Sequence, residues 1–408
     1  MTIKRTPLII IIAVVAMALG AGWFIYTGMS DDRTREDQPI GQPMGEIEPV
    51  LEVVAEDLGQ IWGIDFIPDT SRLVATENSG QLFLIDTENL QVTEIEGVME
   101  VDDSGQGGLL DVAVSPDFKE NNVLYFTYWA GRNGGRTTYL ARAVLDTDNA
   151  ELRDIEQLFA AEPAQSGSSH YGSRVVIAGK YLYMTIGDRG DKNFDDHVSQ
   201  DTGNTLGTTI RLKLDGSVPE ENPLVGDPDA ADEIYSFGHR NAQGMAIHPG
   251  TGELWQSEHG EQDGDEINII KSGANYGWPE AHTGCTYLSG QAIGDLPQDR
   301  DDIVDPIHYW PCNSGGFPPA GMTFYHAEGF LNWQGDLFVG GLAGQYLAHF
   351  KVLEDGLEEQ DPLLKQEGWR VRDVTVGQHD GAIYAAVEGR EVSLVRIAPR
   401  KTPNNDQD

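Results

Sequence analysis

The chain has 408 residues and carries 66 acidic against 27 basic side chains, a formal net charge of −39. This charge argues against nucleic acid or an anionic membrane surface as a partner, because both would repel it. A chain of this length exceeds a typical single core, but a propeller or a barrel can form one domain of this size. A solvated acidic surface accounts for most of the charge, and part of it could help to bind divalent cations.

The N-terminal segment has the pattern of an export signal. Lys4 and Arg5 precede an apolar run of about 20 residues, long enough to span a bilayer. A basic flank stays in the cytoplasm, so the rest of the chain is expected in the periplasm or another extracytoplasmic space, released or anchored to the inner membrane. The predicted order is a signal peptide or membrane anchor, a polar linker, a folded body and a polar tail, at residues 1–29, 30–46, 47–398 and 399–408.

The folded body contains a repeated strand-turn-strand pattern. Short β-rich runs bounded by Gly, Pro, Asn or Asp recur six times, and the six units begin at Gly63, Leu110, Arg174, Gly244, Gly321 and Val371. Repeats of this kind predict an all-β fold, a six-bladed β-propeller, in which each blade packs against its neighbours. A large β-sandwich is the alternative. The insertions at 131–170, 187–240 and 280–320 are expected to be long loops on the propeller faces, where ligands bind.

Two loop segments carry candidate catalytic residues. His170 lies in a Gly/Ser-rich loop, where a histidine can act as a general base, although loop histidines are more often structural. Arg240 and Asn241 lie between glycines in a donor-rich loop, where a planar guanidinium suits a carboxylate or a developing oxyanion. The simpler reading is that both residues satisfy loop carbonyls.

Two further stretches suggest a metal ion and an anionic ligand. Residues 258–268 combine carboxylates, amides and Gly-bent backbone, which suits Ca²⁺, although a solvated loop has the same composition. Arg370 and Arg372 alternate along a strand and therefore face the same side. Their repulsion would be relieved by a polyanionic ligand, by Asp373 or by solvent. Cys285 and Cys312 could form one disulfide in an oxidising compartment, or stay as two buried thiols.

Taken in order, these motifs resemble the soluble pyrroloquinoline quinone (PQQ) dependent glucose and aldose sugar dehydrogenases. The resemblance runs from about residue 50 to residue 398, which makes 47–398 a β-propeller dehydrogenase domain. The matching segments are Gly105-Gln-Gly-Gly-Leu-Leu, His170 before Arg174, Thr185-Ile-Gly-Asp, Ile210-Arg-Leu-Lys-Leu-Asp-Gly-Ser, Gly238-His-Arg-Asn-Ala-Gln-Gly, Gly264-Asp-Glu-Ile-Asn, Gly273-Ala-Asn-Tyr-Gly-Trp-Pro and Arg370-Val-Arg-Asp.

The resemblance implies two cofactors, PQQ and Ca²⁺, and a sugar substrate oxidised to its lactone, with electrons passed to an external quinone or cytochrome. It implies that His170 is the general base and that Arg240 acts beside the reducible carbonyl. The implied cofactor contacts are Gln106, Arg240, Asn241, Arg370 and Arg372. The implied metal ligands are the carbonyls of Gly260 and Glu261 for the catalytic ion, with Glu266 and Tyr276 at a structural ion.

The chain departs from the glucose-oxidising members at three positions. Ser169 stands where they carry an Asp before the base, Ala343 where they carry a Lys, and Glu261 where they carry a Pro. Ser169 is expected to weaken the orientation of His170, and Ala343 to remove one cofactor cation. This pattern favours the broader aldose branch. It leaves open a Ca²⁺-dependent propeller lactonase and a non-catalytic binding propeller.

Overall fold

The computed structural model describes residues 48–132, 134–287 and 289–400. The signal or anchor segment at 1–29, the linker at 30–46 and residues 401–408 of the tail lie outside the described residues. Among the described residues, none of the helices has the length and apolarity needed to cross a membrane.

The described chain forms six four-stranded antiparallel sheets, which are the blades of a propeller. The first strand, β1 (Pro49–Glu56), belongs to the last blade. Blade 1 contains β2 (Ile61–Phe66), β3 (Arg72–Glu77), β4 (Leu82–Asp86) and β5 (Gln91–Glu94). Blade 2 contains β6 (Leu109–Val114), β7 (Val123–Arg132), β8 (Gly135–Asp146) and β9 (Glu151–Ala160), with the short helix α1 (Phe118–Asn121) after β6. Blade 3 contains β10 (Gly172–Ala178), β11 (Tyr181–Ile186), β12 (Thr208–Lys213) and β13 (Ile234–Phe237).

The other three blades follow the same plan with one insertion. Blade 4 contains β14 (Ala242–Ile247), β15 (Leu254–Glu258) and β16 (Asp265–Ile270). A separate hairpin of β17 (Ala281–Cys285) and β18 (Ala292–Gly294) precedes its outer strand, β19 (His308–Trp310). Blade 5 contains β20 (Pro319–Phe324), β21 (Leu337–Gly341), β22 (Leu347–Leu353) and β23 (Gly356–Glu359). Blade 6 contains β24 (Arg370–Val376), β25 (Ile383–Glu388) and β26 (Val392–Pro399), and short 3₁₀ turns occur at Val198–Gln200, Pro297–Asp299 and Leu331–Trp333.

The predicted six-bladed propeller is therefore confirmed, and each predicted repeat supplies the two inner strands of one blade. The expectation of long face loops was partly wrong. The segment 131–170 contains all of β8 and β9, 187–240 contains β12 and β13, and 280–320 contains the β17–β18 hairpin and β19. The outer strands are more exposed than the inner ones, so their sequences carry a weaker apolar pattern.

The first strands of the blades line the axis and contact one another in a closed ring. Each of the six first strands has a register shift against the second strand of its blade, and these irregularities lie toward its N-terminal end. A bulge withdraws a backbone N–H from the ladder, and in a buried position that group needs another partner.

Side-chain hydroxyls on the second strands satisfy these groups and join neighbouring blades. The Thr127 hydroxyl accepts a hydrogen bond from Asp111 N (3.0 Å) and donates one to Ser173 O in the next blade (2.7 Å). Thr76 and Thr185 make the same pair of bonds, and Ser257 donates to Ala320 O at 2.9 Å. At four of the six blade interfaces, therefore, one buried hydroxyl per interface forms a hydrogen bond to the next blade.

Buried charges also cross the axis. Arg174 Nη1 lies 2.7 Å from Asp111 Oδ1 and 3.0 Å from Asp373 Oδ2. The carboxylates of Asp65, Asp111 and Asp373 accept hydrogen bonds from the backbone N–H groups of Val114, Val175 and Ile64, each on a neighbouring first strand. This cluster lines an axial cavity of ≈ 480 Å³ at the C-terminal ends of the first strands.

We expect the substitution Thr127→Val to destabilise the propeller by about 1–3 kcal/mol, because it leaves a buried N–H and a buried carbonyl without partners. Urea denaturation of the whole protein measures the change in the free energy of unfolding. Thr93→Val is the matched control, since Thr93 lies half-buried on the outer strand β5. Equal effects of the two substitutions would contradict this role for the hydroxyl.

Candidate functional site

The predicted site residues gather at the N-terminal ends of the first strands, opposite the axial cavity. Two adjoining cavities of ≈ 190 and ≈ 310 Å³ open there and share Gln106 and His259 in their walls. His170, Arg240 and Asn241 line the larger cavity together with Gly260 and Glu261. Arg370 and Arg372 line the smaller one. The structure therefore brings together all the predicted catalytic and cofactor-contact residues, from four different blades and their loops.

His170 is held in a defined orientation by a buried carboxylate. Its Nδ1 lies 2.6 Å from Asp188 Oδ1, and its backbone N–H donates to the Gln106 side chain at 3.0 Å. The carboxylate accepts the Nδ1 proton, which leaves the Nε2 lone pair free of any hydrogen bond to a described residue. The expectation that Ser169 weakens the orientation of His170 needs correction, because Asp188 supplies that orientation from the loop after β11.

Asp188 is itself fixed by surrounding donors. Its Oδ1 accepts from Gly190 N (2.8 Å), and its Oδ2 accepts from Trp278 Nε1 (3.0 Å). His197 Nε2 lies 3.5 Å from Oδ2. Burial acts to raise the pKa of Asp188, but the hydrogen bonds from His170 and His197 outweigh it and hold this pKa well below its ordinary value. The carboxylate is therefore ionised and can stabilise a positive charge on His170.

Arg240 is directed into the cavity by an ion pair and an aromatic ring. Its Nη2 lies 2.7 Å from Glu261 Oε2, and its guanidinium lies 5.2 Å from the centre of the Trp278 ring. Its Nε is buried and has no hydrogen-bond partner among the described residues. Lys192 Nζ lies 2.6 Å from the same Glu261 oxygen, so a lysine from another loop pairs with the cavity wall, while Ala343 lines the cavity itself.

Asn241 connects two walls of the site through His259, which the sequence analysis did not identify. Asn241 Oδ1 accepts from Gly172 N (3.1 Å), and its Nδ2 lies 3.2 Å from His259 Nδ1. His259 Nε2 lies 2.8 Å from the carbonyl of Pro319. Burial, with the nearby charge of Arg240, lowers the pKa of His259 to about 3, so this ring is neutral. Its place directly before Gly260 in the candidate metal stretch was the signal that could have revealed it.

The paired arginines have an internal counterion that the sequence analysis also missed. Arg370 Nε lies 2.6 Å from Glu388 Oε2, and Arg372 Nη2 lies 2.7 Å from Glu388 Oε1. Arg372 also donates to Gln243 Oε1 at 3.0 Å. The suggestion that Asp373 relieves their repulsion was wrong, because Asp373 faces the other way along the axis and pairs with Arg174. Glu388 pairs with Arg370 across β24 and β25, a register that cannot be read before the strands are aligned.

The segment after β15 presents backbone oxygens to the cavity. No described group donates a hydrogen bond to the carbonyl of Gly260 or Glu261. Asp265 shapes the segment by accepting from Gly260 N (3.0 Å) and Phe317 N (2.9 Å). Among the described residues, no three His, Cys, Asp or Glu side chains are arranged to bind a metal ion. The free carbonyls of Gly260 and Glu261 are oxygens that a cation could use here, a donor type that Ca²⁺ accepts.

Glu266 and Tyr276 have separate surroundings. Glu266 accepts from the hydroxyl of Thr283 (2.9 Å) and from Asn268 Nδ2 (3.3 Å), and Asn268 Oδ1 is buried without a donor among the described residues. The Tyr276 hydroxyl donates to Ile269 O and accepts from Lys271 N, both at 2.7 Å. Glu266 and Asn268 therefore offer oxygens to a cation, whereas Tyr276 has only its backbone carbonyl left to offer.

The two cysteines form a disulfide beside the larger cavity. Cys285, at the end of β17, is joined to Cys312, two residues after β19. Cys285 also exchanges backbone hydrogen bonds with Gln262, at 2.9 and 3.1 Å. The bond thus fastens the inserted hairpin to both the candidate metal segment and the outer edge of blade 4.

The fold and the site define a class of protein: a closed six-bladed propeller with arginines, a carboxylate-held histidine and free carbonyls around its axis. The family model described as "Glucose / Sorbosone dehydrogenase" matches residues 58–396, and the chain belongs to this family. The predicted resemblance is therefore confirmed.

Two related sequences and two solved structures are similar to the chain. It is 34% identical over 356 residues to the aldose sugar dehydrogenase YliI of Escherichia coli, covering 86% of this chain and 93% of that one. The apo-form crystal structure of soluble aldose sugar dehydrogenase from E. coli superposes with a TM-score of 0.80, at 32% identity, covering 86% and 100% of the two chains. Quinoprotein glucose dehydrogenase B of Acinetobacter calcoaceticus is 31% identical over 312 residues, covering 67% and 63%. The PQQ-bound form of aldose sugar dehydrogenase from Streptomyces coelicolor has a TM-score of 0.69, at 26% identity, covering 87% and 99%.

We expect Asp188→Asn to lower the free energy of unfolding at neutral pH by about 2 kcal/mol, because it weakens several buried charge-assisted hydrogen bonds. The folded pKa of Asp188 lies below the unfolded value of 3.8, so its contribution is present above pH 3.8 and is lost as the pH falls. Denaturation of the wild type and the variant between pH 7 and pH 3 measures this. The difference should be constant at high pH and shrink below about pH 4. Asp301→Asn, at an exposed position, should give no such change.

Proposed function

We propose that this protein is a PQQ- and Ca²⁺-dependent dehydrogenase that oxidises aldose sugars to lactones and passes the electrons to an external acceptor, a quinone or a cytochrome. The observation that carries the proposal is His170. Its Nδ1 is bound to the ionised Asp188, and its Nε2 is free in a cavity that also holds Arg240 and the carbonyls of Gly260 and Glu261. A base, a cation and hard oxygen donors thus meet in one place.

The residues around the two cavities fit a planar tricarboxylate such as PQQ. Arg370, Arg372 and Arg240 supply three guanidinium groups, and the buried Nε of Arg240 has a donor to spare. Gln106 and Asn241 add amide groups, and the unpaired carbonyls of Gly260 and Glu261 suit Ca²⁺. When bound, the quinone accepts the hydride and Ca²⁺ acts as a Lewis acid on it.

The side chains then have distinct tasks. His170 Nε2 removes the proton of the anomeric hydroxyl, and the resulting imidazolium is stabilised by Asp188 at Nδ1. The orientation of the Asp188 carboxylate is fixed by contacts with Trp278, Gly190 and His197. Arg240 would stabilise negative charge on a bound oxidant, and Glu261 fixes the orientation of its guanidinium.

We propose that this reaction takes place outside the cytoplasm. The disulfide between Cys285 and Cys312 supports this, because such bonds persist in oxidising compartments. The predicted signal or anchor at residues 1–29 agrees with it. Protease accessibility of the protein in spheroplasts tests the location.

A Ca²⁺-dependent lactonase is the second candidate, favoured by one observation. Glu388 already pairs with both Arg370 and Arg372 and offsets one of their two positive charges, so the demand of these arginines for an anionic ligand is reduced. A propeller that hydrolyses lactones with Ca²⁺ alone, and shows no quinone absorbance after incubation with PQQ, would establish this candidate instead.

Purified protein incubated with PQQ and CaCl₂ is expected to reduce an artificial dye with aldoses as substrates. His170→Ala should lower kcat by at least about a hundredfold, the contribution of a general base, while PQQ still binds. His326→Ala is the control, since this exposed histidine lines the cavity at the opposite end of the axis. Full activity of the His170 variant, or no PQQ binding by the wild type, would overturn the proposal.

We expect Arg372→Met to weaken PQQ binding by about 10- to 100-fold, because a charge-assisted hydrogen bond is lost. Titration of PQQ into the protein, followed by its absorbance, gives the dissociation constant directly. Arg153→Met, an exposed arginine of β9, should leave this constant unchanged. Equal affinities in all three proteins would show that PQQ does not use the arginine pair.

A further inference from the structure

The mouth of the larger cavity carries an aromatic ring that the proposed reaction does not use. Tyr287 lines this cavity together with His170 and Arg240, yet it is 64% exposed. Large exposed aromatics are costly in water, and their faces bind the apolar C–H faces of sugar rings. Tyr287 follows Cys285 by two residues, so its backbone is close to the disulfide and to the hydrogen bonds of Gln262.

The wall formed by Gly315 and Gly316 leaves space in the same cavity. A Cβ at Gly315 would meet no atom within 4 Å, and one at Gly316 would lie 2.9 Å from Asp263 Oδ1. Both residues adopt positive φ values, 98° and 67°, which favour glycine. Both glycines follow Cys312 closely in the sequence. The disulfide therefore connects the segment that carries Tyr287 to the segment that carries Gly315 and Gly316.

Asp263 adds a negative charge to the same mouth. Its side chain lines the cavity and has no ion pair or hydrogen-bond donor among the described residues. Glu261 binds both Arg240 and Lys192, and the carboxylate of Asp265 in the same cavity accepts from two backbone N–H groups. An unpaired carboxylate accepts hydrogen bonds from hydroxyl or ammonium groups and repels other carboxylates.

We propose that Tyr287 and Asp263 form a substrate-selecting rim, in which the ring stacks on the sugar and the carboxylate favours neutral and 2-amino aldoses over uronic acids. This inference rests on the proposed dehydrogenase function and names its substrate class. Cys285 of the disulfide lies two residues before Tyr287. It also hydrogen-bonds with Gln262, the neighbour of Asp263, so it positions both residues of the rim. Neither residue takes part in proton removal, so the rim acts on sugar binding alone.

Tyr287→Ala is expected to raise KM for glucose by about 3- to 10-fold and leave kcat within a factor of two, because a stacking contact is lost. Tyr287→Phe keeps the ring and should behave like the wild type. Tyr309→Ala is the matched control, since this tyrosine is 42% exposed on β19 and lies outside the cavity walls. The dissociation constant of PQQ, titrated separately, should not change in any of these variants.

Asp263→Asn tests the charge of the rim. In the wild type, kcat/KM should fall in the order glucosamine, glucose, glucuronate. In the variant, the ratio of kcat/KM for glucosamine to kcat/KM for glucuronate should be at least about threefold smaller. Raising the NaCl concentration should also reduce this kcat/KM ratio in the wild type, because salt screens the charge of Asp263. The double variant Cys285→Ser/Cys312→Ser should raise KM for every sugar without changing their order.

The outcomes separate the two proposals. An active wild type with an unchanged KM in Tyr287→Ala, or a weakened PQQ affinity in that variant, would overturn the rim and leave the dehydrogenase function standing. Unchanged sugar preference in Asp263→Asn would overturn the role of charge. A wild type that binds PQQ and oxidises none of the three sugars would overturn both proposals together.

Discussion

The buried backbone around the propeller axis must find hydrogen-bond partners without help from solvent, and the rest of the structure depends on this constraint. Each first strand leaves its ladder at a bulge near the functional end of the ring. At the first four interfaces a hydroxyl donates to a carbonyl of the next blade, and three of these hydroxyls, such as that of Thr127, also accept from a freed N–H. Because these groups are satisfied by side chains, the loops beyond them are free to present carbonyls and amides to a ligand.

Each arginine around the axis has a carboxylate partner within the protein itself. Arg174 is paired with Asp111 and Asp373, Arg240 with Glu261, and the Arg370–Arg372 pair with Glu388. Burying a cation without a partner is strongly unfavourable, so each of these pairs allows the chain to fold without any bound anion. The cations of the site thus have partners without any ligand. The proposed tricarboxylate would share these cations with carboxylates already in place.

The fold could be predicted from the sequence because the inner two strands of every blade repeat a local pattern. The outer strands could not, since they are exposed and face solvent on one side, as in β5 and β9. The site residues that were found stand in distinctive local motifs, such as the glycine-flanked Arg240. Those that were missed act through pairing at a distance. Glu388 meets the arginines only in the register of β24 and β25. Asp188 lies 18 residues after His170 in the sequence, and only the folded loop brings the two side chains into contact.

The closure of the ring has a consequence for folding during synthesis of the chain. β1 pairs with β26, so residues Pro49 to Glu56 complete a blade whose other strands lie at the far end of the chain. Until the last strand has been made, the nascent chain holds an incomplete ring with unpaired strand edges, which are prone to aggregation. The same blade carries Arg370 and Arg372. The wall that carries these arginines therefore stays incomplete until β26 has been made and paired with β1, whereas the loops of His170 and Gly260 are made earlier.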